Sequence, residues 1–447
     1  MKEQQMHFEA FELAQSAKQH QQKLLYLCAS DKEARLIKHE LKLYLAADTI
    51  GYYPEREILP YDRFSTPQSI LQDRIGLLNS NKTSLQVVVT SGLNLLEKLP
   101  PKEFFSARKV LTTGQKLSIK ELAENLIALG YERTDKVEAI NQYAIRGGVV
   151  DLYSSFYSTP LRIDFFGDEI DDIRCFDVDS QVMTEKLTSF QLFHGSEIAL
   201  DEESIKQFKD NWRNYFQKHD ERYCEIFKNI AASVLPEGYE IYMPLLQSKD
   251  TNLIDYFDGF KLLHSSNLDI SIAKYQSYIK ERYEEESIDA LRPVMKPDDY
   301  FFTLQDLKPY LASSEHPNDR HSKHSLNLNL AIEEQINDLV AKHRSGELTT
   351  LLVTASEQLK LDELNKQHGF TPASLPLKET KGLFSALHHP TRVFLDKANS
   401  FAYINVEHYL GHDTFINKKV SSIQASLIHT FENPFHDDEL VIHVDYG

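Results

Sequence analysis

Two short period-two runs meeting at a glycine constrain this chain more than any other stretch. In 161–166 Leu161, Ile163 and Phe165 alternate with Arg162, Asp164 and Phe166. In 170–176 Ile173 and Cys175 alternate with Asp172, Arg174 and Phe176. This is the pattern of strands with one buried face, and Gly167-Asp168-Glu169 between them is a turn signal. A three-residue loop there pairs Phe166 with Ile170, Ile163 with Ile173 and Leu161 with Cys175. Both apolar rows then share one face, which fixes a hairpin's register. The outward face carries Arg162, Asp164, Phe166, Asp172, Arg174 and Phe176. Arg162 faces Arg174, an unfavourable like-charge pair that Asp164 and Asp172 can offset. Arginines and phenylalanines together suit a docking surface. A solvated face in which Arg162 pairs with Asp172 is the plainer alternative.

The flanking chain sets the fold class. Residues 24–29, LLYLCA, read as a buried strand, and Ser30 with Glu33 three residues on starts a helix with Leu36, Ile37, Leu41 and Leu45 at helical spacing. Residues 86–90, QVVVT, read as a second strand, followed by a helix in GLNLLEKL. Strand–helix alternation implies a parallel sheet, which suits a RecA-like core. Such a core binds phosphate with GxxxxGK[ST], glycines letting backbone amides close around the anion while lysine neutralises it. The first fifty residues contain no glycine, and Ser91-Gly92, not acidic residues, follow the VVVT strand. The expected fold is α/β: a degenerate RecA-like (P-loop NTPase-like) domain with an inserted α+β domain, then a small α/β domain.

The rest of the chain divides accordingly. LPYDRFSTPQSILQDRIGLL (59–78) reads as a packed loop that turns helical at Ser69. A helix from 118 stops at Gly130, and the strands above follow. Arg146-Gly147-Gly148 suggests a bulge or a close backbone approach. Helices return from Asp201, and 235–246 (LPEGYEIYMPLL) and 260–264 (FKLLH) read as strands. Polar, aperiodic 312–325 is a linker; its His316, His321 and His324 lack partners at ligand spacing, so no metal is expected. Strand, helix and a Gly369 stop follow, then strands in RVFLD and FAYINV. The changes of pattern set expected boundaries at 1–116, 117–200 for the insertion and 201–311. The linker takes 312–347, the small α/β domain 348–430, and 431–447 opens a new alternating strand.

Composition narrows the function. Lys+Arg 49 against Asp+Glu 67 gives a net charge of −18, a poor overall match to DNA. The three cysteines stand far apart with no metal or redox spacing. No apolar signal core and no ~20-residue apolar run occur, so a cytoplasmic protein with no membrane partner is expected. No nucleophile elbow, HExxH or dinucleotide fingerprint is present. Asp171-Asp172 are adjacent and so point to opposite faces of a strand.

The block RGGVVDLYSS…PLRIDFFGDEIDDIRCFDVDSQ resembles the module shared by the UvrB excision-repair protein and the bacterial transcription-repair coupling factor. LPYDRFSTPQSILQDRIGLL, LPPKEFF (99–105) and the final VIHVDYG favour the coupling factor. In both families the module docks UvrA. The resemblance implies a UvrB-like region whose ATPase site is lost, so no cofactor is expected here, with ATP and Mg belonging to a motor elsewhere in the family. It implies that 1–116 and 201–311 are two halves of one RecA-like domain, and that 431–447 is the start of a further domain. It also implies an N-terminal, non-catalytic part of a longer protein that recruits UvrA to stalled RNA polymerase in nucleotide excision repair. The ATP-dependent DNA translocase, and the contacts to RNA polymerase and double-stranded DNA, would lie further along. Arg162 and Arg174 take the family's Leu-Arg-Ile-Asp-Phe-Phe and Ile-Arg-x-Phe positions. They are expected to be central to UvrA docking, with Arg146, Phe166 and Phe176 contributing less. A UvrB-like damage-binding helicase subunit is the alternative; a hydrolase, which a pocket of convergent titratable groups would mark, is a reading of another class.

Overall fold

The structure, a computed structural model, describes residues 2–406 apart from 81, 107–108, 155–156, 158, 248, 313, 316–331, 379–380, 389–393 and 397–399. The three linker histidines and the 431–447 segment lie outside the described residues.

Leu24–Cys28 and Val87–Ser91 are buried along their whole length. They form the centre of a four-stranded parallel sheet in the order Lys261–His264, Leu24–Cys28, Val87–Ser91, Ile50–Tyr53. Unbroken apolar runs suit strands covered on both faces. Leu25, Leu27, Tyr53 and Val88 enter one core, while Leu24, Tyr26, Cys28, Val87 and Val89 enter another. Ser30 caps helix Asp31–Leu41, its Oγ accepting from the Glu33 amide at 3.3 Å. The helix expected in GLNLLEKL is a short 3₁₀ turn, Gly92–Leu96.

The strand read in 235–246 is instead a 3₁₀ turn, Tyr239–Tyr242, running into helix Met243–Leu246. Gly238 at φ +71° reverses the chain, and a Cβ there would stand 3.0 Å from the Asp62 and Arg63 carbonyl oxygens. Tyr239 to Met243 are all buried, so no periodicity marks the helical twist.

Between the first and last strands of the parallel sheet lies a six-stranded sheet. Its order is Met183–Leu187, Glu169–Phe176, Leu161–Phe166, Val149–Leu152, Gln142–Arg146, Glu132–Arg133, antiparallel except for the last pair. Leu161, Ile163, Ile173 and Cys175 face a core shared with Leu122 and Leu126 of helix Ile119–Ala128. Leu161 pairs with Cys175 and Ile163 with Ile173, as expected. The turn differs: Phe166 pairs with Glu169 across Gly167-Asp168, and the register shifts past Phe165 and Ile170. A tighter turn plus one bulged residue therefore reaches the register that a longer loop would have given. Arg146 pairs with Val149 around Gly147-Gly148, and a Cβ on Gly148 would stand 3.2 Å from the Phe165 oxygen, the close approach the glycines suggested.

A third, five-stranded sheet has Thr350–Ala355 at its centre, parallel to Gly382–Leu387 and Phe401–Asn405. Leu352, Phe384, Phe401 and Tyr403 share a core with helices Lys2–His20 and Asp31–Leu41, where the Phe11 and Phe401 rings stack at 5.2 Å.

Candidate functional site

The polar side of the six-stranded sheet is organised in cross-strand rows. One row runs Ala144, Asp151, Arg162, Arg174, Lys186, each directly opposite the next on the neighbouring strand. The adjacent row runs Arg146, Val149, Asp164, Asp172. Bases in direct register would repel, so the acids interleave. Asp151 accepts from Arg162 through both oxygens, at 2.6 and 2.8 Å, and from Arg146 Nη2 at 2.7 Å. Arg174 pairs with Asp164 and, at 3.0 Å, with Asp172, which also pairs with Lys186 at 2.9 Å.

The charges are layered by depth. Asp151 is 2% exposed, whereas Arg146 is 53% and Lys186 68% exposed; Asp164 and Asp172 are also sunk below the bases they hold. A chain of net charge −18 thus presents a locally positive face. Hydrogen bonds from Arg162 to Asp151 hold the Arg162 guanidinium above its ordinary pKa. The Lys186 bond is the largest influence holding Asp172 below the usual carboxylate range.

The structure brings Arg146, Arg162 and Arg174 into this one network. Phe166 stands apart at the hairpin tip, 83% exposed, about 13 Å along the strand from Arg162 at ~3.3 Å per residue. Two expectations need correction. Arg162 pairs with Asp151, not Asp172, because Asp151 lies opposite it on the strand outside the hairpin. Phe176 is on the polar side but is fully buried, packed with Val137, Ala144, Tyr153 and Met183. Its ring lies 4.7 Å from the Arg162 guanidinium carbon and forms a floor beneath it. Sequence reasoning missed Asp151 and Lys186. The alternation of Val149 and Asp151 against buried Val150 and Leu152 was the signal for the first; Lys186 lies in a largely exposed edge strand with no such signal.

At the other candidate position, the turn from Leu24–Cys28 into helix Asp31–Leu41, the chain's own side chains take the amides. The Ser30 hydroxyl accepts from Glu33, and Glu33 Oε2 accepts from the Ala29 amide at 3.0 Å. Buried Asp31 and Glu33 fill the first helical turn, where the helix dipole favours negative charge. No cluster of three or more potential metal-ligating side chains occurs among the described residues, and no helix there is long and apolar enough to cross a membrane.

Residues 110–197, which hold this sheet face, match the UvrB interaction domain. The chain is 31% identical over 286 residues to the transcription-repair-coupling factor of Escherichia coli, covering 63% of this chain and 25% of that protein. It is 29% identical over 275 residues to the one from Haemophilus influenzae, covering 60% and 24%. It is 31% identical over 163 residues to the one from Myxococcus xanthus, covering 36% and 14%. The chain thus spans about a quarter of the length of the first two curated relatives. The resemblance to the coupling-factor family read from the sequence is borne out.

Proposed function

We propose that this chain is a UvrA-recruiting region of a transcription-repair coupling factor, and that it docks UvrA through the polar face of its six-stranded sheet in nucleotide excision repair. The observation that carries the reading is the coincidence of two independent features. The residues similar to the UvrB interaction domain are those that build the layered arginine–aspartate face. Arginines held by carboxylates beneath them have lost part of their rotamer freedom before any partner arrives, which lowers the cost of binding. Arg146, Arg174, Lys186 and Phe166 supply most of the accessible surface, with Arg162 more recessed but still partly exposed and Phe176 buried beneath it.

The four-stranded parallel sheet is in this reading a degenerate RecA-like core that binds no nucleotide. Support comes from the glycine-free first fifty residues and from Asp31 and Glu33, which would repel a phosphate at the helix start. ATP-driven translocation and contacts to RNA polymerase and duplex DNA are assigned to other parts of the family's sequence, and this region itself to binding without catalysis.

Calorimetric titration of UvrA against the full chain tests the proposal. Arg174→Ala and Arg146→Ala are each expected to weaken binding about tenfold or more with an unchanged melting temperature. No measurable binding by the unmodified chain, or unchanged affinity in both variants, would sink it.

A further inference from the structure

Asp151 is the residue on which the arginine face converges. It is all but sealed from solvent, yet both its oxygens are engaged by bases that reach outward. Oδ1 accepts from Arg162 Nε, and Oδ2 accepts from Arg162 Nη2 and Arg146 Nη2. A two-point bond to a planar guanidinium fixes its orientation as well as its position. The remaining walls of the seat are the Phe176 ring below and the Gln181 Oε1, which accepts from Arg162 Nη2 at 3.3 Å. Arg174 is held separately, by Asp164 and Asp172.

We infer that Asp151 is a positioning residue of the docking face: it stays out of contact with the partner and sets the orientation in which Arg146 and Arg162 meet it. The inference rests on the UvrA-docking reading and adds a buried residue that direct contact would not reveal.

A double-mutant cycle separates the two claims. UvrA is titrated against the full chain as wild type, Asp151→Asn, Arg146→Ala/Arg162→Ala and the triple variant, with a urea midpoint for each. Asparagine keeps the shape of aspartate and removes the charge. It is expected to weaken binding about tenfold in the wild-type background and less than about twofold once both arginines are gone, because it then has nothing to hold. Asp151→Glu, which restores the charge on a longer arm, is expected to recover at least about threefold of the Asp151→Asn loss. This variant also reads the inference should Asp151→Asn unfold: affinity then falls between wild type and the double-arginine variant, and any other result counts against the idea. Wild-type affinity in Asp151→Asn beside weak binding in the double-arginine variant overturns the positioning role and leaves docking intact. Wild-type affinity in the double-arginine variant overturns the inference, and overturns the docking reading too when Arg174→Ala also binds as wild type. An equal loss from Asp151→Asn in both backgrounds assigns Asp151 a merely structural part and overturns the inference.

Discussion

Replacing Glu197 by glutamine should unlock the buried joint where the chain returns from the inserted domain to the parallel sheet. Glu197 is fully buried. Its Oε1 accepts from Arg74 Nε at 3.2 Å and from the Tyr53 hydroxyl at 3.4 Å, and its Oε2 accepts from Arg56. Glu97 joins the same two arginines, to Arg56 at 2.8 Å. Arg74, also fully buried, donates to the Pro54 carbonyl at 2.8 Å and lies 4.2 Å from the Tyr53 ring centre. Burial alone would raise the Glu197 pKa, but Arg56 and Arg74 outweigh it and hold the carboxyl below its usual range. Two arginines and two glutamates leave the cluster neutral. Glutamine preserves the volume and leaves one buried positive charge uncompensated, at a cost of about 3–5 kcal/mol. At a urea slope of about 2.5 kcal/mol/M, the midpoint should fall by roughly 1–2 M. Trp212 is the only tryptophan and lies buried in the core that also holds Tyr53 and Ile198, so its fluorescence follows this unfolding. Arg74→Met combined with Glu197→Gln removes one charge of each sign and should recover more than half of the loss. An unshifted midpoint in Glu197→Gln, or strictly additive losses in the pair, would refute the reasoning.

Ile163→Ala should lower the stability of the inserted sheet by about 2–5 kcal/mol and Phe176→Ala by about 3–5 kcal/mol, because both side chains are fully buried; thermal unfolding followed by circular dichroism checks this, and unchanged melting of Phe176→Ala would return that ring to the surface. Glu9, buried and near Glu33, has its pKa pushed up to about 7 mainly by burial, with Tyr26 donating to it. The folded state therefore holds this proton more tightly than the unfolded one, so Glu9 lowers stability as pH rises from about 4.5 to about 7, by roughly 3 kcal/mol. His194, its ring 4.1 Å from Phe104, is pushed down by burial to about 4, so it lowers stability as pH falls from 6.5 toward 4. The two slopes oppose each other, and urea midpoints from pH 4.5 to 8 should fall less steeply with rising pH in Glu9→Gln than in wild type, the remaining fall coming from Glu55, which burial also pushes up to about 7; a profile parallel to wild type contradicts the assignment. Calorimetry with ATP and magnesium should give no binding, and stoichiometric heat would overturn the reading of the Asp31–Glu33 turn.

The alternation in 161–176 was enough to set Ile163 against Ile173 although the turn itself was misread, because a one-residue slip would expose every apolar side chain. The same local logic reached the parallel strands LLYLC and VVVTS and the Ser30 cap, each written in neighbouring residues. Segments distant in the sequence decided the rest. The 149–152 strand beside the hairpin gave Arg162 its partner in Asp151, and Val137, Ala144 and Met183 converged to bury Phe176. The run Tyr239 to Met243 became helical because its surroundings covered every side, leaving neither a strand nor a helix period to read. Periodicity records only which face of one element is buried; which elements supply the cover, and so which charges meet, is fixed by contacts that form when the whole chain packs.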